Sequence, residues 1–232
     1  MRATLNLKSE LVAAAHRLHQ AGWVANHDGN LTARVAPGRF LATPTAVSKA
    51  AIREDWLITV DLDGRVVEGR RKPFGELDLH LACFRARPEV QVVCHAHPPT
   101  ATGFGVAGLE LGPLPLPEAV VSLGRVPTLP LAAPKSAEGA AAVERAAAQH
   151  DALLLAGNGV ITLGIDVEQA LLRMELVEHV AKILLVARQL GQVHELPAAL
   201  VTALLEARAK AGLGPRPTAV AAMPATRRGA RA

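Results

Sequence analysis

Hydrophobic and polar positions along the chain switch repeatedly between helical and strand periods. Leu7, Leu11, Ala14, Ala15 and Leu18 recur at helical spacing, with Gly22 as a stop. Leu31 to Val35 and Arg39 to Thr43 flank Ala36-Pro37-Gly38 and predict a hairpin. Leu57 to Leu62 alternates as a strand and returns through Asp63-Gly64 into Arg65-Val66-Val67. A helix is predicted over Gly75 to Arg85, with Leu77, Leu81 and Phe84 on one side, Glu76 in its first turn and His80 at i+4. Val90 to Cys94 is a β-branched, apolar run that reads as a buried strand. The stretch from Leu111 to Pro130, broken by Pro and Gly, predicts only short strands. Beyond it come a helix from Ser136 to Gln149 with Ser136 as N-cap, then strands at 153–155 and 160–163 around Gly157-Asn158-Gly159. The long helix Val167 to Leu190 and a last one over Ala198 to Lys210 complete the order. Two successive hairpins argue for antiparallel pairing and against a purely parallel sheet.

The buried strand ends in Cys94-His95-Ala96-His97-Pro98-Pro99. Side chains at i and i+2 leave the same face of a strand, so His95 and His97 point together while Cys94 turns away. The prolines lack N–H donors and end the ladder there. Two neutral imidazoles converging at a strand end make half of a divalent-metal site, or two polar residues at a strand exit. His16 and His19, on the first helix, read as solvated. Thr43-Pro44-Thr45-Ala46 opens a polar loop of a kind that binds anions or merely solvates a turn.

Composition narrows the function classes. The 232 residues are half hydrophobic but only 3% aromatic, with no Tyr, so Ala, Leu and Val must fill the core. The net charge of +4 is carried by a tail: Arg216, Arg227, Arg228 and Arg231 follow Ala211 with no acid among them. The body is therefore near neutral, and nucleic-acid binding is not expected. Two cysteines make no disulfide framework and suit a reducing, cytoplasmic setting. No signal peptide and no membrane span are expected. A domain over residues 1–210 and a basic, disordered tail over 211–232 is the expected division.

Several loops match one family in order and spacing. Gly29-Asn30-Leu31-Thr32-Ala33-Arg34, Thr43-Pro44-Thr45, Glu76 with His80, His95-Ala96-His97 and Leu153 to Gly164 resemble the class II aldolase/adducin family. The H-x-H roughly twenty residues after an acid is the most specific of these. The resemblance implies an α/β fold, three-layer α/β/α with a central, mainly antiparallel sheet, in homotetramers with sites between subunits. It implies a zinc or similar divalent ion held by His95, His97 and a third His, with Glu76 as base and further ligand. It implies substrate binding by Gly29, Asn30, Thr43, Thr45 and Gly75. The expected activity is aldehyde-lyase chemistry on a small sugar or sugar-phosphate hydroxy-carbonyl substrate. A metal there stabilises an enediolate as a Lewis acid, and a carboxylate moves the proton at carbon.

Three features depart from the family pattern. Asn158 stands at the third-His position; Phe74-Gly75 replaces small hydroxylated residues before Glu76; and no Tyr is present to donate a proton, leaving His27, His179 or water. The competing readings are a non-catalytic, adducin-like scaffold and an epimerase or dehydratase using the same metal site. Retained Glu76, His95 and His97 favour an enzyme, whereas Asn158 and the missing Tyr favour a scaffold.

Overall fold

A computed structural model describes residues 2–133 and 135–215. Its elements in chain order are α1 (Arg2–Gln20), β1 (Asn30–Ala36), β2 (Arg39–Ala42), a 3-10 turn (Glu54–Trp56), β3 (Ile58–Asp61), β4 (Val66–Glu68), α2 (Leu77–Ala86), β5 (Val92–Ala96), α3 (Pro99–Val106), α4 (Pro117–Leu123), β6 (Thr128–Leu129), α5 (Ala137–Ala147), β7 (Ala152–Leu155), β8 (Val160–Gly164), α6 (Val167–Leu190) and α7 (Ala198–Lys210). The strands form one sheet in the order β4-β3-β2-β1-β5-β8-β7-β6. Every pairing is antiparallel except β6 with β7.

The strand alternation divides the core in two. Leu31, Ala33, Val92, Cys94 and Ala96 face one side, where they pack with α1, α3, α4 and α6 through Leu11, Phe104, Val120 and Met174. Val93, Ile161 and Leu163 face the other, against Leu81 and Phe84 of α2 and Val143 of α5. The result is the expected three-layer α/β/α arrangement, with a mainly antiparallel sheet at its centre.

Long periodic segments form as the sequence predicts. α6 spans Val167–Leu190, opened by the Asp166 carboxylate, which accepts the Gln169 N–H at 2.7 Å. The Ser136 hydroxyl caps α5 by accepting the Gly139 N–H at 3.1 Å. The stretch from Leu111 to Pro130 differs: it contains α4, with Pro117 at its first position and Glu118 in its first turn. Flanking prolines and glycines hide so short a helix from a periodicity reading. His16, read as solvated, is half-buried and bonds the Ile52 carbonyl at 3.0 Å.

The predicted tail begins at Ala211. Ala211 to Pro215 still belong to the described chain, and the Leu213 N–H caps α7 on the Arg208 carbonyl at 3.0 Å. The remainder of the tail lies outside the described residues. No described helix is long and apolar enough to cross a membrane.

Candidate metal centre

Strand pairing builds the site. Asn30 on β1 stands directly opposite His95 on β5, so the two share the sheet face toward α2. His97 leaves the strand one pleat later, its backbone N–H donating to the Trp23 carbonyl at 2.9 Å. Pro98 and Pro99 then turn the chain into α3, with Pro99 at a helix position that needs no donor. Glu76 is the N-cap residue of α2 rather than a member of its first turn, and its carboxylate makes no cap bond. It swings over the sheet instead, where Oε2 accepts the Asn30 side-chain N–H at 3.0 Å.

Glu76, His95 and His97 bring their ligand atoms within 4.8 Å of one another. The two histidine Nε2 atoms are 3.2 Å apart, and Glu76 Oε1 is 3.6 Å from His95 Nε2. Buried His95 approaches the Val160 carbonyl with Nδ1 at 3.0 Å. A carbonyl only accepts, so Nδ1 carries a proton, and Nε2 is the ring nitrogen turned toward Glu76 and His97. His97 Nδ1 faces the Asp28 carboxylate at 3.8 Å. Tetrahedral zinc with bonds of about 2.0–2.1 Å needs donor separations of about 3.3–3.4 Å, close to the spacings here. The donor set therefore fits a divalent ion, and each ring has an outer partner to orient it.

Glycines let two turns close on these ligands. A side chain on Gly159 would put its Cβ 2.3 Å from the Ala96 oxygen and 2.4 Å from His97 Cδ2, and φ there is +74°. One on Gly29 would meet Val24 at 2.3 Å and the His95 oxygen at 3.1 Å. The Gly157–Gly159 turn thereby places the Asn158 amide near both Glu76 and His97, close enough to influence the ionisation of each. Positive φ in this turn falls on the two glycines, not on Asn158.

The electrostatics follow from this crowding. His95 holds the Glu76 carboxyl down to about 2 against the opposing effect of burial, with help from Asn30 and Asn158. His97 is shifted down, by burial first and then by His95. His80 is fully buried behind His95, bonds the Thr32 hydroxyl through Nδ1 at 2.8 Å, and is pushed down to about 3 by burial. It packs as a neutral ring, edge-on to Phe74.

The remaining sequence candidates divide. Thr43 is buried, and its Oγ1 accepts the Leu31 N–H at 3.1 Å. Thr45 is half-buried, and its backbone N–H donates to the Lys72 carbonyl at 3.0 Å. Gly75 is exposed, while Phe74 turns into the core and presents no donor. Of the stand-ins for a tyrosine, His27 is exposed and His179 lies on α6 in a groove with Arg17 and Trp23. Neither belongs to the Glu76, His95, His97 group.

Two groups were not legible beforehand. Lys49 is buried, its Nζ donating to the carbonyls of His27 at 3.2 Å and Val47 at 3.1 Å. Burial pushes its amine down to about 8, opposed by Asp28 and Glu76. Glu178, also buried, accepts the N–H groups of Thr100 and Ala101 at the start of α3. Nothing in local sequence marks either, since Lys49 reaches His27, and Glu178 reaches Thr100 and Ala101, across long chain separations. Beside the centre a cavity of about 680 Å³ opens between α2, α5 and the 127–133 segment, with Glu76, Asn158, Asp78 and Lys135 in its wall.

Known proteins resemble the chain in sequence and in fold. An L-fuculose phosphate aldolase of Methanococcus vannielii is 29% identical over 174 residues, covering 75% of this chain and 93% of that protein. A 3-oxo-tetronate 4-phosphate decarboxylase of Escherichia coli is 30% identical over 186 residues, covering 78% and 87%. Among solved structures, YgbL from Escherichia coli superposes with a TM-score of 0.80 at 28% identity, covering 86% of this chain and 97% of that one. The L-fuculose-1-phosphate aldolase of Thermus thermophilus gives 0.72 at 28% identity, covering 82% and 98%. Residues 9–185 match the family described as the class II aldolase and adducin N-terminal domain, and the chain belongs to that family.

Proposed function

We propose that the chain is a divalent-metal-dependent aldehyde lyase that breaks or forms a carbon–carbon bond beside the carbonyl of a small, phosphorylated hydroxy-carbonyl compound. The observation that carries this reading is the convergence of Glu76, His95 and His97 on one point beside an open cavity. A scaffold has no need of such convergence, and the relatives are named as aldolases and decarboxylases.

His95, His97 and Glu76 would hold the ion, zinc being the best match to two imidazoles and a carboxylate, with the Asn158 amide beside them. The ion would supply Lewis acidity toward a substrate carbonyl and its neighbouring hydroxyl. Glu76, ionised at neutral pH, is the proton carrier. In the cleavage direction a hydroxyl proton leaves, the adjacent carbon–carbon bond breaks, and its electron pair stays on the carbonyl fragment. A proton then returns to that carbon. Asn30 fixes one oxygen of Glu76 throughout. Substrate would lie along Gly29, Asn30, Thr43, Thr45 and Gly75, in a homotetramer whose subunits complete the site.

A second reading, decarboxylation of a 3-oxo acid phosphate, has support from the 30% identical relatives of that name. It leaves the same electron pair on the same fragment, with carbon dioxide departing in place of an aldehyde. Incubating zinc-loaded protein separately with L-fuculose 1-phosphate and with 3-oxo-tetronate 4-phosphate decides between them. Release of dihydroxyacetone phosphate from the first, abolished by a chelator, supports the lyase; carbon dioxide from the second alone supports the decarboxylase. Turnover of both unaffected by metal removal would contradict the metal-dependent reading.

A further inference from the structure

We propose that the cavity beside the metal centre holds an apolar tail on the substrate, so that the departing aldehyde carries an alkyl chain. The inference deepens the reading above, by naming the class of that fragment, and rests on it. The cavity measures about 680 Å³ and has Glu76 and Asn158 in its wall, so it borders the reacting centre. Sites for small molecules measure about 300–1,000 Å³ and are mostly apolar, with a few placed polar groups. On α5 the wall is formed by Glu138, Ala142, Val143 and Ala146, at helical spacing, which extends it over about 12 Å. A three-carbon aldehyde has two carbon–carbon bonds of about 1.5 Å each and would leave most of that length empty.

Polar and apolar groups are unevenly spread along this wall. Leu79, Leu129, Val143, Ala146 and Leu155 are buried or half-buried, and none has a side-chain donor or acceptor. Lys135, Glu138 and Arg145 are exposed, so their charges sit at the rim. Asp78 is half-buried but belongs to the metal end, near enough to Glu76 for the two charges to act on each other. The half-buried His150 bonds the backbone of Arg125. Leu131, 74% exposed, is also in the wall, and its Cδ1 lies 3.5 Å from where a Cβ on Gly157 would stand. Apolar surface therefore begins at the turn that carries Asn158 and continues along α5. Hydroxyls on a substrate tail would lose water there without side-chain partners, whereas methylenes would gain from burial.

The test reads binding and turnover separately. Zinc-loaded protein is titrated with 1-propanol, 1-pentanol and 1-heptanol, which cannot react, and followed by ligand-observed NMR. Affinity in the parent should rise by about fourfold for each methylene that the cavity buries. Ala142→Phe and Ala146→Phe each put a ring into the cavity from half-buried positions on α5. Either should remove the dependence on chain length with circular dichroism and zinc content unchanged, and one stands in if the other does not fold. Affinity independent of chain length in the parent, or the parent's dependence in a folded variant, overturns the proposal. No alcohol binding at all, as when a second copy of the chain fills the cavity, overturns it too. Turnover is read as addition of aldehydes to dihydroxyacetone phosphate, whose carbon loses a proton and bonds the aldehyde carbon while the aldehyde oxygen takes up a proton. Heptanal should show a higher kcat/KM than propanal in the parent and no advantage in the variants. A parent that adds propanal best overturns the proposal and spares the lyase reading. A parent that binds the alcohols by chain length yet adds no aldehyde upholds the apolar cavity and overturns the lyase reading.

Discussion

The Glu178 carboxylate accepts the backbone N–H of Ala101 at 2.9 Å, tying α6 to the first turn of the helix that follows the H-x-H motif. The same carboxylate takes the Thr100 N–H, and Lys182 lies 3.5 Å away. A buried acid at a helix start satisfies orphan donors and the helix dipole together. Removing it strands two buried N–H groups. Glu178→Ala is expected to lower stability by about 2–4 kcal/mol, with Glu178→Gln costing less because its amide oxygen still accepts. Urea unfolding of both variants checks this, and equal loss in the two would show that charge, not the acceptor, matters.

Asn158 marks the place where the centre can be strengthened. Its amide already lies by Glu76 and His97, in a turn whose left-handed positions are taken by glycine. Imidazole is the stronger zinc ligand. Asn158→His is expected to tighten zinc by about tenfold or more in a competitive chelator titration. Equal zinc affinity in parent and variant would remove position 158 from the ligand sphere.

Gly159 is held by contact as well as by conformation. Alanine there would place Cβ 2.3 Å from the Ala96 oxygen and 2.4 Å from His97 Cδ2. Both partners are anchored, so the turn must move. Gly159→Ala should cost about 2–4 kcal/mol and weaken zinc by displacing His97. A melting temperature and zinc affinity equal to the parent's would refute that packing.

Lys49 gives a pH signature. Its folded pKa, about 8, lies below the ordinary lysine value of 10.5. Between those values the unfolded chain binds more protons than the folded one, so stability rises with pH. The penalty for burying the charge is full below about pH 8 and fades toward pH 10. Asp28 and Glu76 are the acids that act on it. The stability of the parent relative to Lys49→Met should therefore increase by on the order of 1–3 kcal/mol from pH 7 to pH 10. A flat difference would mean that the ammonium is solvated.

Much of this was legible in the sequence, for identifiable reasons. β5 with His95, and His97 just past its end, follows from the apolar run and strand alternation, and α6 from its period and its Gly191 stop. The hairpins fixed most of the sheet, because turn chemistry is local. Glu76 was found, but its placement was not: the helix begins at Leu77, two residues later than predicted, which frees the carboxylate to cross to Asn30 and His95. α4 was hidden by its prolines and its seven-residue length. Lys49 and Glu178 were invisible because their partners are backbone groups, of His27 and Val47 for one and of Thr100 and Ala101 for the other, and sequence pattern carries no trace of such bonds.

The most direct measurement is metal content after purification without chelator, by elemental analysis of the parent, His95→Ala and His97→Ala, with circular dichroism of each. The expected result is about one divalent ion per parent chain, lost in both variants with the fold retained. A parent free of metal that binds none on titration with zinc, or variants that keep the parent's stoichiometry, would contradict a metal centre built from Glu76, His95 and His97.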